Sequence, residues 1–372
     1  MAVLFAITLL VAASCGDDGE PAAGGDGTTN GDGTTEQSAC VEEAQAAVDA
    51  AREPIELKLP PTPLDVDQLQ GKKIFLLTSQ IVELSELMGN GFEEAAAALG
   101  MEAEVFNGEG QVATWNQGVR QAVNEEYDGI VLLSVQPDLV SEPLEQGIED
   151  GMAVVEIFNG SPVPQDELDP RVDAQVTPDF FASGSLISDW IMADSGCDAT
   201  VAVFGAEVIG VQSNMMQSFE EYLPQECADC TLYVERIDLA NIAGEMETRT
   251  PNILRRDPDI DYLVPVFDAA ATFLIPAAQQ AGFEGKVLSH DGVPAHLDLV
   301  RSGEQALDVA FPPNEWMGWA LVDQLARVIL EMEPAEWTVP VQLFDQTNIG
   351  EEGDEFPNFV GYEEQFKGAW GV

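Results

Sequence analysis

The stretch KKIFLLTSQIVELSELMGNGFEEAAAALG, Lys72 to Gly100, carries an apolar β-type run followed by an amphipathic helix. Lys72 to Leu77 is the run. Beyond it Leu84, Leu87, Met88, Phe92, Ala95, Ala96 and Leu99 recur at a spacing of about 3.6 residues, and Gly100 stops the helix. The alternation continues outward: Ala103 to Phe106 reads as a strand, Trp115, Val119, Ala122 and Val123 mark a helix, and Gly129 to Val135 is a buried strand. Val140 to Asp150 is a helix and Ala153 to Phe158 a further strand. Strands alternating with helices pair in parallel, because each crossover helix returns the chain to the same sheet edge. The first half is therefore expected to be a doubly wound α/β domain.

After an irregular stretch, Gly160 to Pro170, the pattern repeats. Ala174 to Val176, Thr200 to Phe204, Leu232 to Ile237, Tyr262 to Phe267, Lys286 to Ser289 and Leu307 to Phe311 read as strands with helices between them. Two α/β lobes suit 372 residues better than one giant sheet. Past Pro312 and Pro313 a helix runs from Trp316 to about Leu330. Its polar residues Asp323, Gln324, Arg327 and Glu331 form one stripe, and the rest of it is expected to be buried.

The amino terminus reads differently. Ala2 to Ala13 is apolar but shorter than the roughly 20 residues needed to span a bilayer, so it reads as a secretory signal. Small residues lead into Cys15, and Gly, Asp, Thr and Asn follow. This pattern resembles the lipobox of bacterial lipoproteins, which implies a lipidated Cys15 and an extracytoplasmic chain anchored to the cell membrane. Gly16 to about Ser38 is expected to be a flexible tether, Val41 to Arg52 a short helix, and Pro54 to Pro63 a lead into the folded body. The expected domains are a signal over 1–15, tether and short helix over 16–70, a first lobe of 71–158 plus 312–334, and a second lobe of 159–311 plus 335–372.

Charge restricts the partners. With 67 acidic against 14 basic residues the formal net charge is -53, which argues against nucleic acid and against any membrane contact except through a lipid. A solvated acidic surface suits an exported protein in a salty habitat, where ions screen self-repulsion. Beyond Cys15 an even number of cysteines remains: Cys40, Cys197, Cys227 and Cys230. Outside the cytoplasm disulfides are the default. Cys197 and Cys230 each precede an apolar run, so Cys197 is expected to bond Cys230 or Cys227, with Cys40 unassigned.

Ligands of open parallel sheets bind beyond the carboxyl ends of the strands. Reading those ends gives Ser79, Gln80, Gln136, Phe158, Asn159, Phe267, Asp268, His290, Asp291 and Phe311, to which Trp115, Phe180, Gln212, Asn214, Asn314 and Trp316 are added as candidate ligand contacts. Aromatic faces and neutral amides suit a small polar molecule. No Arg or Lys stands at these ends, which disfavours a carboxylate or phosphate. A neutral sugar or polyol fits best and a cationic amine less well.

Other motifs carry little. Gly108, Gly110 and Ala113 mimic a dinucleotide loop, but after the second strand and with Glu109 inside it. Asp257, Asp259 and Asp261 have the alternate spacing of a calcium loop, yet Tyr262 replaces the glycine of the sharp turn. No cofactor, metal site or hydrolase signature is expected; His290 beside Asp291 is the one arrangement that could serve an enzyme.

The order of elements resembles the type 1 periplasmic binding proteins, the ribose- and galactose-type substrate-binding group of ABC transporters, over about Lys72 to Phe344. The residues that carry the resemblance are Ile74 to Gly100, Gly129 to Pro137, Val154 to Asn159, Ser289 to Pro294, and Ala310 to Trp316. It implies two Rossmann-like lobes joined by a three-strand hinge, with crossings near Asn159, Phe311 and Pro334 to Val339. By that resemblance Asp291 is the ligand-binding aspartate. Phe158 or Asn159 stands where sugar-binding members have an Asp followed by Arg, Phe267 where they have Asn, and Gln212 to Met215 replaces a segment with a hydroxyl-binding Arg. These departures point away from a ribose-like ligand, towards a less highly oxygenated or smaller one, or towards one gripped mainly by aromatic faces. The implied protein is a monomeric receptor, not an enzyme, that closes on its ligand and docks on an ABC permease. A signalling receptor's ligand sensor and a secreted α/β hydrolase are the alternatives.

Overall fold

A computed structural model of the chain describes residues 33–60, 63–206, 208–335 and 337–372. Helix α1 (Gly33–Ala51) precedes β1 (Lys73–Thr78), α2 (Glu83–Ala98), β2 (Glu102–Asn107), α3 (Val112–Asn124), β3 (Gly129–Leu133), α4 (Ser141–Glu149), β4 (Ala153–Ile157) and β5 (Ala174–Thr177). Then come α5 (Phe180–Ser195), β6 (Thr200–Gly205), α6 (Gly210–Glu226), β7 (Thr231–Arg236), α7 (Ile242–Arg256), β8 (Tyr262–Pro265), α8 (Asp268–Ala281), β9 (Lys286–Asp291), α9 (Pro294–Ser302) and β10 (Leu307–Ala310). The chain ends with α10 (Asn314–Ile329), β11 (Trp337–Thr338), β12 (Gln342–Asp345) and α11 (Tyr362–Trp370).

These strands form two sheets, ordered β11-β5-β4-β3-β1-β2 and β12-β10-β9-β8-β6-β7. All pairings are parallel except β10 with β12, so both lobes are doubly wound as expected. Helices on both faces explain why Ile74 to Leu77 and Ile130 to Leu133 are continuous apolar runs without alternation, since every side chain is buried. Helices α2 and α10 pack with their backbones nearly touching. A Cβ on Gly91 would lie 2.0 Å from the Glu315 carbonyl oxygen, and one on Gly318 would lie 2.3 Å from that of Met88.

Three expectations about lobe membership are corrected. Strand β5 pairs with β4, so the first lobe extends past residue 158. The irregular stretch before it is a loop of that lobe, held by Arg171 to Asp169 and Asp138 and by the Asp173 carboxylate, which accepts from Val154 N. A break in composition there marks a loop, not a lobe boundary. The first crossing is accordingly at Pro178 and Asp179, not near Asn159; the second falls at Phe311 to Pro313, and the third at Val339 to Val341, just past the expected Pro334 to Val339, because β11 within that range is still a strand of the first sheet. Strand β11 and helix α11 also belong with the first lobe. The polar stripe of α10 holds them: Asp323 accepts from Trp370 Nε1 at 2.8 Å and from Trp337 Nε1 at 3.2 Å while Arg327 pairs with it at 2.8 Å.

The amino-terminal expectation is corrected as well. Helix α1 begins at Gly33, inside the stretch read as tether, and packs on α5 of the second lobe, burying Ala44 and Val48. Leu64 and Leu69 are buried, with Leu64 N donating to the Trp370 carbonyl of the first lobe. The chain thus passes between the lobes twice more, between α1 and β1 and between β12 and α11. The two passages meet where Asn358 Nδ2 donates to Ile55 O at 2.9 Å. Cys15 and the apolar run lie outside the described residues.

The disulfides are Cys40–Cys197 and Cys227–Cys230, not a bond from Cys197 to Cys227 or Cys230. The expected neighbourhood is real, since Cys227 Sγ approaches the Cys197 carbonyl at 3.3 Å. The docking of α1 brings Cys40 to that corner, and Cys227 closes locally on Cys230.

Candidate functional site

The carboxyl ends of β1, β3 and β4 face those of β6, β8 and β9 across a cavity of about 60 Å³. Of the residues selected from sequence, Ser79, Gln80, Phe158, Phe180, Gln212, Phe267 and Asp291 line it. The lobes meet around it: Ala295 N approaches Glu83 Oε1 at 3.5 Å, and Asn214 Nδ2 donates to Ser161 Oγ at 3.2 Å.

Backbone conformation concentrates here. Ser134, Phe158 and Asp291, at the ends of β3, β4 and β9, have φ values of 54°, 60° and 126°. Positive φ is unfavourable for residues with a Cβ and persists where the surroundings fix it, commonly at binding sites. In this region each strand end turns sharply into its loop.

An aromatic cluster backs the cavity. Phe158 stacks on Phe311 with centroids 4.9 Å apart and meets Phe180 edge-on at 5.3 Å, while His290 lies against Phe311 at 4.7 Å. Phe311 and His290 are fully buried, so they support the wall and do not form its surface.

Asp291 is the polar centre. Its Oδ2 accepts from Asp268 N at 3.3 Å, and its Oδ1 lies 3.2 Å from His290 Nδ1. Burial pushes the His290 imidazole down to about 3, so it is neutral and this contact is a hydrogen bond, not an ion pair. Burial pushes the Asp291 carboxyl up to about 8. Such a group donates as well as accepts, which suits a hydroxyl. Asp268 stands behind it, accepting from Val293 N at 3.0 Å, and its carboxyl is raised well above the ordinary range by burial and then by Asp291. Gln212 Oε1 accepts from Ala206 N at 2.8 Å, which leaves its amide NH₂ as the donor.

Other sequence-selected residues stand around this centre or away from it. Trp115 Nε1 donates to the Ser79 carbonyl at 2.8 Å and so positions Ser79 from behind. Gln136 and Asn159 sit at the rim against Gly210, where a Cβ would lie 2.4 Å from Gln136 Nε2 and 2.2 Å from the Asn159 carbonyl oxygen. Asn314 and Trp316 are not in this cavity: α10 starts on the far side of the hinge, where Trp316 packs on Trp337 and Phe359. Sequence reasoning missed Ser134, because the strand was read through to Val135, and it missed Val82, Leu84, Ile209 and Leu239, apolar residues on loops and helix starts. Their signal is an apolar side chain where a loop should be polar.

Among the described residues no Lys or Arg lines the cavity, and no group of three or more His, Cys, Asp and Glu is arranged to hold a metal. In the calcium-like spacing, Asp261 accepts from Thr200 N and Asp257 from Asp259 N, which makes it a turn into β8.

A family model for a periplasmic binding protein domain matches residues 75–331. The D-allose-binding periplasmic protein of Escherichia coli (strain K12) is 24% identical over 244 residues, covering 61% of this chain and 75% of that protein. Among solved structures, an ABC transporter solute binding protein from Agrobacterium vitis with bound allitol superposes with a TM-score of 0.66 at 19% identity, over 76% of this chain and 97% of that one. The 5-methylthioribose transporter solute binding protein of Thermotoga lettingae does so with a TM-score of 0.66 at 16% identity, over 81% and 94%. These superpositions concern the fold.

Proposed function

The chain belongs to the family of periplasmic binding protein domains, and from that premise we propose that it is the extracytoplasmic solute receptor of an ABC importer, taking a small neutral sugar or polyol between its lobes. The observation that carries this reading is the cavity itself: Asp291 among Phe158, Phe180 and Phe267, between two lobes and with no Lys or Arg among the described residues that line it. The carboxyl group and the Gln212 amide would meet hydroxyls, and the phenyl rings would cover the apolar face of the molecule. A relative named for D-allose lends support to that ligand class.

A cavity of about 60 Å³ has room for a few waters. A sugar ring needs more, so the lobes would part to admit it and close again, with the ligand favouring closure by touching both. The hydrolase alternative loses its base, because His290 is fully buried behind the aromatic wall and burial, by pushing its imidazole down to about 3, makes it too weak a base. The closed form would dock on a membrane permease as a monomer. Lipidation at Cys15 would keep it within reach of that permease, and palmitate labelling lost in Cys15→Ser would test the anchor.

A thermal-shift screen over neutral sugars and polyols, repeated with Asp291→Ala, tests the reading. A ligand at 100 times its dissociation constant stabilises by about 2.7 kcal/mol, and the Ala variant is expected to lose that shift. A shift that survives the substitution would place the ligand elsewhere.

A further inference from the structure

A second cavity, of about 450 Å³, lies behind the hinge. One wall is the turn and helix start Gly292 to Leu297 of the second lobe; the other is the start of α10 with the returning carboxyl-terminal segment. It is separate from the cavity around Asp291 and shares no residue with it.

Asn314 lines this space at 2% exposure, and both its Oδ1 and its Nδ2 lack a hydrogen-bond partner. A buried amide with neither end satisfied is destabilising unless something pairs with it. The walls are otherwise of two kinds. Glu315, Glu352 and Glu363 bring negative charge, Glu355 is already taken by Arg301, and among the described residues no Lys or Arg lines the space. Phe356, Tyr362 and Val360 supply apolar surface. The positive end of the α10 dipole would attract an anion, but Glu315 in the first turn already answers it.

We propose that this cavity binds a small organic cation, a protonated amine on an apolar body, whose N–H donates to Asn314 Oδ1 while the field of Glu315, Glu352 and Glu363 attracts its charge and the aromatic faces cover the body. A neutral molecule would gain nothing from the three carboxylates, and an anion would be repelled by them. Aromatic faces beside carboxylates are a general solution for ammonium groups. Because the walls come from both lobes, occupancy is linked to the closure of the hinge, and closure to occupancy.

The test uses 2-phenylethylammonium chloride, with the isosteric neutral 2-phenylethanol as control at equal chloride, in calorimetric titration of the whole mature protein. The amine is expected to bind at one site and the alcohol not to bind. Asn314→Leu should weaken the amine about tenfold, the loss of one charge-assisted hydrogen bond. Val360→Lys, at a position 75% exposed and therefore harmless to folding, places a tethered ammonium at the mouth and should abolish binding. Asp291→Ala should still bind the amine one-to-one. Equal binding of the alcohol, or equal affinity in wild type and Val360→Lys, would overturn the proposal; the latter would mean only diffuse attraction to an acidic surface. Loss of the amine in Asp291→Ala would also overturn it, by assigning the amine to the cleft.

Discussion

Replacing Cys40 and Cys197 by serine together should cost far more stability than replacing Cys227 and Cys230 together. The first bond joins residues 157 apart in sequence and the second joins residues 3 apart. In the chain-entropy relation, closing the longer loop removes about 17 cal/mol/K from the unfolded chain, or about 5 kcal/mol at room temperature, against about 2 kcal/mol for the short loop. Neither pair spans the hinge, since Cys40 sits on α1 where it packs on α5 of the same lobe. The loss should therefore appear in the second lobe and in α1. Urea unfolding followed by fluorescence gives the two differences, and hydrogen exchange locates them: amides of α1 should lose protection in the Cys40/Cys197 variant and keep it in the other. Wild type unfolded in excess dithiothreitol should fall at or below the Cys40/Cys197 variant. A Cys40/Cys197 variant within about 1 kcal/mol of wild type, or one more stable than the Cys227/Cys230 variant, would refute the reasoning.

Further expectations follow from packing and charge. Gly91→Ala puts a methyl group 2.0 Å from the Glu315 carbonyl oxygen, so the α2–α10 contact must open at about 1–3 kcal/mol, read as a lower unfolding midpoint, whereas Gly368→Ala in α11, whose Cβ would meet nothing beyond its own helix, should stabilise by up to about 1 kcal/mol. Asp291 holds its proton more tightly folded than unfolded, so its contribution makes stability fall as pH rises between 3.8 and about 8. His290 acts oppositely between about 3 and 6.5 and offsets one such group, while Asp268, also raised by burial, adds to the fall; Asp291 itself contributes at most about 1.4 kcal/mol per pH unit. Asp291→Asn should flatten that slope, and an unchanged slope in melting temperature against pH would contradict the assignment. With a formal net charge of -53, the melting temperature should rise from dilute buffer to molar NaCl as repulsion is screened; a flat or falling profile would remove the halophilic reading.

The strand and helix pattern from Lys72 to Ile329 was legible because it depends on local periodicity, and burial on both sheet faces left continuous apolar runs such as Ile130 to Leu133. What was not legible depends on where distant segments land. Nothing local distinguishes β5 as a strand of the first sheet, and Trp337 and Trp370 reveal no partner until Asp323 is seen between them. The same holds for Cys40, whose bond waits on the docking of α1 over α5. The candidate site was half legible. Strand ends located Ser79, Phe158, Phe267 and Asp291, but strand boundaries shift by a residue and so lost Ser134. Asn314 and Trp316 lie close in sequence to the hinge crossing, yet the turn at Pro313 directs them to its far side.

Asp291 and the phenyl rings around it are proposed to hold an uncharged sugar or polyol by closure of two lobes. Calorimetric titration with allitol, D-allose and a panel of neutral polyols, beside matched sugar acids and sugar phosphates, tests it most directly. Saturable one-to-one binding of an uncharged member, absent in Asp291→Ala and accompanied by a smaller radius of gyration in X-ray scattering, is the expected result. Binding confined to the anionic members, or binding of a neutral one that Asp291→Ala leaves intact, would contradict it.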